Sequence, residues 1–507
     1  MRRVVISTCV LLLGLVVSCN FLLPERFAVN APISSMLFGS TIEPPASDQI
    51  SSRFRVPTGF GLSLYATGLG NVRWLRATAT GDLLASRPRQ GDVVLIARDE
   101  DGDGRSDGTL PLIAELNRPQ GLELRDGWLY IAETNAIGRV RFDPEKRTVA
   151  GEFERIVEGF PGGGNHWSRT IGFGPDDLLY LSIGSSCNVC IEDDARRAAM
   201  HRYRPDGSGF EVVATGLRNS VGFDWQPGTD QLYATDNGRD LLGDDFPPGE
   251  LNRIELGGFY GWPIANGNRV PDPDVGEGQT ERILTSTPPA HPFRAHNAPL
   301  GISFIRGTRV PDALRGAALV ALHGSWNRTE KDGYKVVSLS WQPDGSIREA
   351  DFMTGFEQDD DVIGRPVHVV EGSDGAFYIS DDYAGAIWRV AYGEQRAGNR
   401  DASIGALRAG LSRDPLADIP AETRVRLKAE GAALYQRHLC ATCHDPAQAQ
   451  PGVAVKRLDE LVGRFDLDSL QALFSTPPPP MPILSLSAGE KRAISVYLFS
   501  EEHSAVE

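Results

Sequence analysis

The segment HLCATCHDPAQ, residues 438–448, carries the most specific chemical motif of the chain, because Cys440, Cys443 and His444 form the pattern C-x-x-C-H. Two thiols one helical turn apart can add to the two vinyl groups of one porphyrin, and the next residue can then reach the iron. The motif predicts covalently bound haem c, with the two cysteines as anchors and the histidine as an iron ligand. Such a protein transfers electrons, so a source of electrons is expected elsewhere in the chain.

The sequence around this motif resembles a cytochrome c domain of about 85 residues. Gly431 and Tyr435 lie four positions apart on a preceding segment with helical spacing of apolar residues, and Tyr497 lies on the apolar side of a closing helix. The resemblance implies that Met481, in the proline-rich stretch PPPPMPILS, binds the iron opposite His444, where a thioether raises the reduction potential. The alternative is that Met481 belongs to the hydrophobic core.

A second group of chemically capable side chains comes from three distant segments. His166 lies in GGGNHWSRTIGFG, Arg218 and Asn219 lie in TGLRNSVGFDW, and Arg365 lies in DDVIGRPVHVV. Each precedes a short apolar strand, so in a ring of equivalent sheets these residues would meet at one face. A neutral imidazole can accept a proton, and guanidinium groups bind carboxylates. Taken singly, the histidine could be structural and each arginine could belong to a surface ion pair; their joint position favours a site.

The elements that would position this group are six copies of one phrase, a polar or glycine turn followed by a short apolar strand. The copies recur roughly every 50 residues, and one longer interval holds the Pro-rich stretch from Gly261 to His296. They are TGDLLAS (80–86), RDGWLYIAE (125–133), PDDLLYLSIG (175–184), GTDQLYATDNG (228–238), RGAALVALHGS (315–325) and SDGAFYISDD (373–382). This period is typical of the four-stranded blades of a β-propeller.

The predicted fold class is therefore an all-β six-bladed propeller followed by a small all-α cytochrome c domain. Strand-like segments flank the repeats at FGLSLYAT (60–67) and AIWRVAYG (386–393). We expect strands from both ends of the ring to complete one blade, which would close the ring. A pair of β-sandwiches is the alternative fold.

The predicted domain organisation has five parts. They are a signal peptide at 1–19, an N-terminal linker at 20–53, the propeller at 54–393, a linker at 394–420 and the cytochrome c domain at 421–507. The first segment has two arginines, an apolar run and Val-Val-Ser-Cys ending at Cys19, which is typical of a bacterial lipoprotein signal. An ordinary signal peptide and an uncleaved anchor are the alternatives. All three export the chain, and we expect a periplasmic lipoprotein.

Charge and cysteine usage narrow the class of partner. The chain has 51 basic and 67 acidic residues, a net charge of −16, which argues against general affinity for nucleic acid or anionic lipid surfaces. No nucleic-acid partner is expected, and a membrane would be contacted only through the lipid anchor. The pair Cys187 and Cys190 lies in GSSCNVC, and an oxidising compartment favours a small disulfide loop over a metal site there.

The propeller segments resemble the PQQ-dependent sugar dehydrogenases of the soluble glucose, sorbosone and pyranose dehydrogenase type. The resemblance covers about residues 54–392 and includes the segments of His166, Arg218 and Arg365 together with ELNRIELGGFYGWP, HNAPLGISF and ALHGSWNRTEKDGYKVV. It implies that His166 is the catalytic base. It also implies that Arg218 lies beside the quinone carbonyl, which gains negative charge as hydride arrives.

The same resemblance implies further residues that bind cofactor or metal. Asn219, Arg365 and Gln120, the last in NRPQGLEL, match residues at or near the cofactor. Calcium in the family is held partly by backbone oxygens of a turn that corresponds to DNGRD, which indicates Gly238 and Arg239.

Three other cofactor contacts are implied less directly. A lysine that holds PQQ in the glucose enzyme is absent from the matching stretch HGSWNR, where Arg328 could replace it and the ring of Trp326 could stack on the flat cofactor. Arg169 follows His166 at a strand start and would either face the site or pair with an acid.

A separate acidic segment, RDEDGDGRSDG, has the oxygen spacing of a calcium loop. The candidate ligands are Asp99, Asp101, Asp103 and Asp107 around a glycine, but position twelve is Leu110 instead of the bidentate glutamate of an EF-hand. A structural calcium ion and a simple solvated turn both remain open for this segment.

These features together predict an exported quinohaemoprotein dehydrogenase with PQQ, haem c and Ca²⁺ as cofactors. An aldose, a sorbosone-like sugar or another polyol would give hydride to PQQ, and electrons would leave through the haem to a respiratory acceptor. Two alternatives belong to other classes. One is a calcium-dependent lactonase-like hydrolase, and the other is a non-catalytic binding propeller that carries an electron-transfer cytochrome.

Overall fold

The computed structural model consists of two compact units, Met1–Arg400 and Asp401–Glu507. Their boundary falls within the predicted linker 394–420. The residues that the structure describes are 28–30, 42, 44–45, 50, 52–393, 416, 419–438, 440–444, 458, 461, 467–474, 481 and 486–504. The predicted signal peptide with Cys19, and most of both predicted linkers, lie outside them.

The first unit is a six-bladed propeller, in which each blade is built on four antiparallel strands. From the innermost strand outwards, the blades are the following. Blade 1 comprises Leu75–Ala77, Leu83–Arg87, Asp92–Ile96 and Thr109–Ile113; blade 2, Leu122–Arg125, Trp128–Ala132, Ala136–Asp143 and Thr148–Glu158; blade 3, Arg169–Phe173, Leu179–Ile183, Ala199–Tyr203 and Glu211–Thr215; blade 4, Phe223–Trp225, Leu232–Asp236, Pro248–Ile254 and His291–Ala295; blade 5, Pro299–Phe304, Ala318–Leu322, Lys335–Trp341 and Ile347–Met353; blade 6, Pro366–Glu371, Phe377–Asp381, Ala386–Tyr392 and Phe60–Ala66.

Strands from the two ends of the propeller meet in blade 6, which closes the ring. Phe60–Ala66 is the outermost strand and pairs antiparallel with Ala386–Tyr392, so that Phe60 lies opposite Tyr392. The innermost strand of blade 6 contacts the innermost strand of blade 1. The predicted six blades and the predicted completion of one blade from both ends are therefore confirmed, and the β-sandwich alternative is wrong.

Each copy of the repeated phrase forms the second strand of a blade. These strands are buried on both faces, as in Leu179–Ile183, whose five residues are all buried, because neighbouring blades pack on either side. The turn before the strand has the backbone that a tight hairpin requires: in RDGW, Asp126 and Gly127 both have positive φ, 50° and 74°. The phrase therefore encodes the turn and the most buried strand of each blade.

Because strands alternate in direction, two kinds of connection meet at one face of the ring. One kind precedes each innermost strand, and the other joins each second strand to the third. We call this face the mouth. The connections that precede the innermost strands are 67–74, 114–121, 159–168, 216–222, 296–298 and 354–365. The connections between second and third strands are 88–91, 133–135, 184–198, 237–247, 323–334 and 382–385. His166, Arg218 and Arg365 belong to the first kind, as the sequence predicted.

The long interval of the repeat is an insertion between the third and fourth strands of blade 4. Its short strands are Gly258–Phe259, Ala265–Asn266 and Val270–Pro271, and its helix is Thr280–Thr285. Gly258–Phe259 pairs in parallel with Glu211–Thr215, the outermost main strand of blade 3. The insertion therefore runs along the outer edge of blade 3. The connection between blades 5 and 6 also contains a two-stranded hairpin, Glu357–Gln358 with Asp361–Val362.

The second unit is helical where the structure describes it. Its helices are Ala421–Arg437, Ala441–His444, Leu467–Leu473 and Ala488–Ser504. A Cβ atom on Gly431 would lie 2.1 Å from the Ala493 carbonyl oxygen and 2.6 Å from the Tyr497 Cβ atom, so the first and last helices approach closely at this glycine. The two helices therefore cross at Gly431, and the Tyr435 and Tyr497 rings lie 5.4 Å apart beside it.

Among the described helices, none combines the length and the apolar character that crossing a bilayer would require.

Trp388, in the third strand of blade 6, tests how much ring closure contributes to stability. Its side chain is fully buried against Phe54, and its indole N–H donates to Asp381 Oδ2 at 3.2 Å. Trp388→Ala should lower the free energy of unfolding by about 3–5 kcal/mol, and Trp388→Phe, which keeps a ring but loses the N–H donor, by about 1–2 kcal/mol. Denaturant titration followed by far-UV circular dichroism measures both.

The matched control is Leu256→Ala, because Leu256 is 61% exposed and should change the same free energy by less than about 0.5 kcal/mol. Equal losses for Trp388→Ala and Leu256→Ala would contradict the packing argument.

Candidate active site

His166 lies at the mouth, in the connection that precedes blade 3, and is held through one ring nitrogen. Nδ1 lies 2.9 Å from the Ser185 carbonyl oxygen and 2.9 Å from Ser185 Oγ, whose own proton is donated to the Cys187 carbonyl oxygen at 2.7 Å. Because both neighbours of Nδ1 act as acceptors, Nδ1 carries the proton and Nε2 carries the lone pair. Among the described residues no hydrogen bond reaches Nε2, so the ring is arranged as a base.

The charge state of His166 follows from its surroundings. Burial, and then the positive charge of Arg218, lower its pKa from 6.5 to about 3. Arg197 acts in the same direction, whereas Asp240 raises the pKa. The imidazole is therefore neutral, as proton acceptance requires.

Arg218 precedes blade 4 and is buried, with 6% of its side chain exposed. All five guanidinium N–H groups have acceptors. Nε donates to the Asn188 carbonyl oxygen at 3.0 Å; Nη1 to the carbonyl oxygens of Asn237 at 3.2 Å and Gly238 at 2.9 Å; Nη2 to Asn188 Oδ1 at 2.9 Å and Asp240 Oδ2 at 3.1 Å. Because no donor is spare, Arg218 acts as a fixed positive charge.

Asn219 joins the two residues into one group. A Cβ atom on Gly184 would lie 2.5 Å from Asn219 Oδ1 and 2.7 Å from His166 Cβ. The missing side chain of this glycine therefore lets the two segments approach each other at the mouth end of blade 3. The structure thus brings together His166, Arg218 and Asn219, as the sequence predicted.

The segment between these residues contains the disulfide Cys187–Cys190, so the prediction of a small disulfide loop is confirmed. Ser186 anchors its start, because its backbone N–H and its hydroxyl both donate to Glu192, at 2.6 and 2.8 Å. The loop therefore lies directly beside both His166 and Arg218.

Arg365, before blade 6, belongs to a second group at the mouth. Its Nε and Nη2 donate to the carbonyl oxygens of His323 and Gly324 at 3.3 and 3.4 Å, and among the described residues no carboxylate lies within ion-pair distance of it. His323 Nε2 is 2.9 Å from Asp382 Oδ1, and Arg73 Nη1 is 2.5 Å from Asp382 Oδ2. Positive neighbours hold the pKa of Asp382 well below its usual range, although its burial opposes them.

Gln120, before blade 2, extends this second group. Its Oε1 accepts from Arg73 Nε at 3.1 Å, whereas its buried Nε2 has no partner among the described residues. A buried N–H group without an acceptor destabilises the folded state. This donor therefore suggests a bound ligand that supplies the missing acceptor. Arg73 and Arg118 also flank the Trp167 ring, 5.7 and 5.8 Å from its centroid.

Acids at the mouth end of the second strands organise these connections. Asp236 accepts the backbone N–H groups of Arg218 and Asn219 at 2.8 and 2.5 Å, and Asp381 accepts that of Arg365 at 2.9 Å. Burial raises the pKa of Asp236 to about 7 and that of Asp381 to about 6. Carboxylates thus fix the backbone from which the predicted side chains project.

A small cavity beside Arg218 is lined by oxygen-bearing groups. Asp236 and Glu250 both face it, and the pKa of Glu250 is raised to about 8 by burial and by Asp236. Asn237 Oδ1 in the same lining is buried and has no partner among the described residues. Two carboxylates and an amide oxygen form the hard donor set that Ca²⁺ prefers. Reasoning from the sequence missed Asp236 and Glu250; the stretches DNG and PGELN carry them but match no metal motif.

Gly238 and Arg239, whose backbone oxygens are the predicted calcium ligands, line the same cavity. The Gly238 carbonyl oxygen also accepts from Arg218 at 2.9 Å, and the Arg239 guanidinium pairs with Asp272 at 2.7 Å and Asp274 at 2.8 Å. The turn and the two acids therefore face one space, and the backbone oxygens of the turn stay predicted ligands.

Two of the three less direct cofactor contacts, Arg169 and Arg328, are corrected by their surroundings, and stacking by Trp326 stays a prediction. Arg169 is fully buried and donates to the carbonyl oxygens of His166, Ser168 and Pro161, so it supports the His166 segment and neither faces the site nor pairs with an acid. Arg328 is buried and donates to the Glu330, Asp244 and Ala295 carbonyl oxygens and to Asp245. These bonds fix the Arg328 segment and leave it no role as the replacement for a cofactor-binding lysine. Trp326 is half-buried in the same mouth connection, and its carbonyl oxygen accepts from Asn30.

In the acidic segment after blade 1's third strand, three of the four predicted ligands cluster. Carboxylate oxygens of Asp99, Asp101 and Asp107 lie within 4.8 Å of one another, and Asp103 is not part of this group. Asp99 instead accepts backbone N–H groups of Gly102 and Gly104, at 2.7 Å each, as in an acidic turn. The site lies away from the mouth, at the other face of blade 1.

Comparison with known proteins decides the family. A family model described as glucose/sorbosone dehydrogenase matches residues 130–389, slightly more than half of the chain. The chain belongs to the glucose/sorbosone dehydrogenase family. The predicted enzyme class, a PQQ-dependent sugar dehydrogenase, an oxidoreductase, is thereby confirmed.

Relatives of this dehydrogenase include an uncharacterized protein of Borreliella burgdorferi, 29% identical over 364 residues, which cover 68% of this chain and 93% of that protein. Similar solved structures are the holo PQQ domain of pyranose dehydrogenase from Coprinopsis cinerea (21% identical, TM-score 0.57, 67% of this chain and 97% of that one) and a calcium structure of a Trichoderma reesei enzyme of carbohydrate-active family AA12 (21% identical, TM-score 0.59, 70% and 99%). At this identity the similarity shows a shared propeller fold.

The predicted haem ligands lie in the second unit of the dehydrogenase. Helix Ala441–His444 ends at the histidine of the motif. The His444 backbone N–H donates to the Cys440 carbonyl oxygen at 3.1 Å. Met481 is half-buried and packs against the core of this unit with Tyr435 and Tyr497. The Cys443 side chain is outside the described part of the structure.

The protonation of His166 can be measured in the apoprotein. We expect the imidazole to stay neutral from pH 8 to pH 5, because burial and Arg218 disfavour the charged form and its proton binds only near pH 3. Arg218→Met should raise the pKa of His166. The ¹³Cε1 chemical shift of His166, followed by NMR against pH, measures this titration, and the His166→Gln variant assigns the signal. A wild-type titration midpoint near pH 6.5 would contradict the site geometry.

Calcium binding tests the donor set of the cavity. Ca²⁺ should raise the melting temperature of the wild-type apoprotein by mass action, and Glu250→Gln should abolish that rise. In calcium-free buffer at pH 7 the variant should melt at about the wild-type temperature, because a pKa of about 8 leaves the buried Glu250 side chain largely protonated and uncharged, like the amide that replaces it. Asp344→Asn, at an exposed acid, is the control that should keep the full calcium effect. Equal calcium shifts in Glu250→Gln and wild type would contradict this assignment.

Proposed function

We propose that the chain is a quinohaemoprotein dehydrogenase that oxidises an aldose, a sorbosone-like sugar or another polyol with PQQ and passes the electrons on through haem c. The observation that carries the proposal is the composition of the mouth, where a neutral, tautomerically fixed imidazole lies beside a buried guanidinium. Oxidising a hemiacetal or alcohol requires a base for the hydroxyl proton and a charge that stabilises the reduced acceptor. His166 and Arg218 meet these two requirements.

The residues of the mouth fit a planar tricarboxylate. Arg365 has no carboxylate partner among the described residues, and Gln120 Nε2 is an unpartnered buried donor; both suit an anionic ligand. PQQ, when bound, supplies a quinone that accepts hydride. Arg365, Gln120 and Asn219 would hold it, and the fixed charge of Arg218 would favour its reduced, more negative form. The carboxylates of PQQ would also raise the low pKa of His166, which strengthens this base.

The part of the protein in proton transfer follows from the tautomer of His166. Nε2 accepts the proton of the sugar hydroxyl, and the resulting imidazolium keeps its Nδ1–H bond to the Ser185 carbonyl oxygen. The hydroxyl-bearing carbon loses hydride in the same oxidation, so two electrons and two protons leave the sugar. Calcium in the Asp236–Glu250 cavity would add positive charge beside Arg218.

The C-terminal motif supports the second half of the proposal. Cys440 and Cys443 would anchor haem c, and His444 and Met481 would bind its iron, which takes one electron at a time. The close crossing of the first and last helices at Gly431 agrees with a cytochrome c architecture. The N-terminal segment, with two arginines, an apolar run and Cys19 at its end, supports export to the periplasm as a lipid-anchored protein. There the protein would deliver electrons to a respiratory acceptor.

The lactonase alternative would use calcium to activate water. The guanidinium groups of Arg73, Arg218 and Arg365 at the mouth favour the dehydrogenase, because a hydrolase has no need of a tricarboxylate cofactor.

Reconstitution tests the proposed electron path. Full-length protein with haem attached is supplied with PQQ and Ca²⁺, then with glucose, sorbosone or a polyol, and the α-band of ferrous haem is followed. We expect sugar-dependent haem reduction, lost in His166→Gln. Cys440→Ala/Cys443→Ala should lose the haem band but keep sugar oxidation with an artificial dye. Sugar oxidation without PQQ, or PQQ uptake with no sugar-dependent reduction of dye or haem, would contradict the proposal.

A further inference from the structure

The disulfide Cys187–Cys190 closes a four-residue loop that bonds directly to Arg218 and, through Ser185, to His166. Its two inner residues are Asn188 and Val189. Closing so short a segment restricts its backbone before the rest of the site forms. The Ser186–Glu192 hydrogen bonds fix where this loop leaves blade 3.

Asn188 uses its carbonyl oxygen and both polar atoms of its side-chain amide on the Arg218 side of the site. Its carbonyl oxygen accepts from Arg218 Nε at 3.0 Å and from Trp262 Nε1 at 3.3 Å, and its Oδ1 accepts from Arg218 Nη2 at 2.9 Å and from the Asp240 backbone N–H at 2.8 Å. Its Nδ2 donates to the Asp240 carbonyl oxygen at 3.1 Å. One residue therefore supplies two of the five acceptors of the Arg218 guanidinium.

The same loop fixes the proton on His166. The Cys187 carbonyl oxygen accepts the Ser185 hydroxyl proton, and this leaves Ser185 Oγ as an acceptor for His166 Nδ1–H. If the Cys187 carbonyl moved, Ser185 could donate to Nδ1 and the lone pair would no longer be confined to Nε2.

We propose that the disulfide-closed loop Cys187–Cys190 positions the catalytic pair, with Asn188 as the positioning residue that holds Arg218 and the Cys187 carbonyl as the group that fixes the tautomer of His166. The placement of the pair thus depends on a cystine that belongs to neither His166 nor Arg218. This inference rests on the proposed function for its catalytic meaning, but the placement of Arg218 can be measured without cofactor.

The direct test is the chemical reactivity of Arg218 in full-length apoprotein. Phenylglyoxal modifies arginines, and peptide mass spectrometry follows each one separately. Asn188→Leu has similar volume but no polar groups, so Arg218 should react about tenfold faster than in wild type. Cys187→Ser/Cys190→Ser should also raise the rate. Asn188→Asp keeps both acceptors for Arg218 and should stay within about threefold of wild type.

Two internal references keep this test specific. Ile191→Ala, at a 67% exposed residue next to the loop, should leave the Arg218 rate unchanged. Arg315, which is 59% exposed, should react at one rate in every variant. Melting temperatures identify any variant that is globally unfolded, in which all buried arginines would react faster. An unchanged Arg218 rate in folded Asn188→Leu, or equal rates in the leucine and aspartate variants, would overturn the proposal.

Kinetics with PQQ, Ca²⁺ and a dye acceptor then separate positioning from binding. Asn188→Leu should lower kcat about tenfold while the sugar KM stays within about threefold, and Asn188→Asp should restore most of kcat. A rise in KM alone would contradict a positioning role. If the wild-type protein takes up no PQQ, the proposed function fails, whereas the Arg218 reactivity still decides whether the loop positions this side chain.

Discussion

The complete hydrogen bonding of a buried guanidinium is the constraint on which the mouth of this propeller depends. A charged group in a low-dielectric interior costs several kcal/mol unless its donors are satisfied and an opposite charge lies nearby. Arg218 meets this condition with acceptors from the disulfide loop and from the connection after the second strand of blade 4, and Asp240 supplies the charge. Displacing either segment would leave a buried donor without a partner, so the two blades are held in one arrangement.

The ring of blades makes such an arrangement possible. Second strands that are buried on both faces stabilise the fold, and closure of blade 6 by strands from both ends joins the two ends of the ring. The mouth connections are then free to hold polar groups that contribute little to the core. Asp236 and Asp381, at the mouth ends of second strands, accept backbone N–H groups of the connections that precede the inner strands. They thereby hold the backbone of the site on the core of the propeller.

The sequence predicts the features that local spacing encodes. The hairpin turn and the double-faced burial of the second strand recur in every blade, so the number of blades and the common face of His166, Arg218 and Arg365 follow from them. Asp236, Glu250, Asp382 and Arg73 were not predicted. Arg73 and Asp382 pair between blades 1 and 6, 309 positions apart in the sequence. Asp236 and Glu250 lie opposite each other on neighbouring strands of blade 4, in stretches that match no metal motif. Arg169 and Arg328 were among the predicted cofactor contacts, but both guanidinium groups donate to backbone carbonyl oxygens, and that of Arg328 also pairs with Asp245. An arginine near a site can donate to the backbone carbonyl oxygens that shape the site. Its position in the sequence does not distinguish that role from binding of a ligand.

The central claim is that this mouth removes hydride from a sugar whose hydroxyl proton goes to His166. Single-turnover stopped-flow absorbance of the PQQ-loaded protein, mixed with glucose or with glucose deuterated at carbon 1, tests it most directly. The account predicts that the quinone spectrum bleaches after mixing and that the deuterated sugar bleaches it more slowly. A quinone spectrum that no sugar alters, or identical rates for the two isotopic forms in every sugar tried, would contradict it.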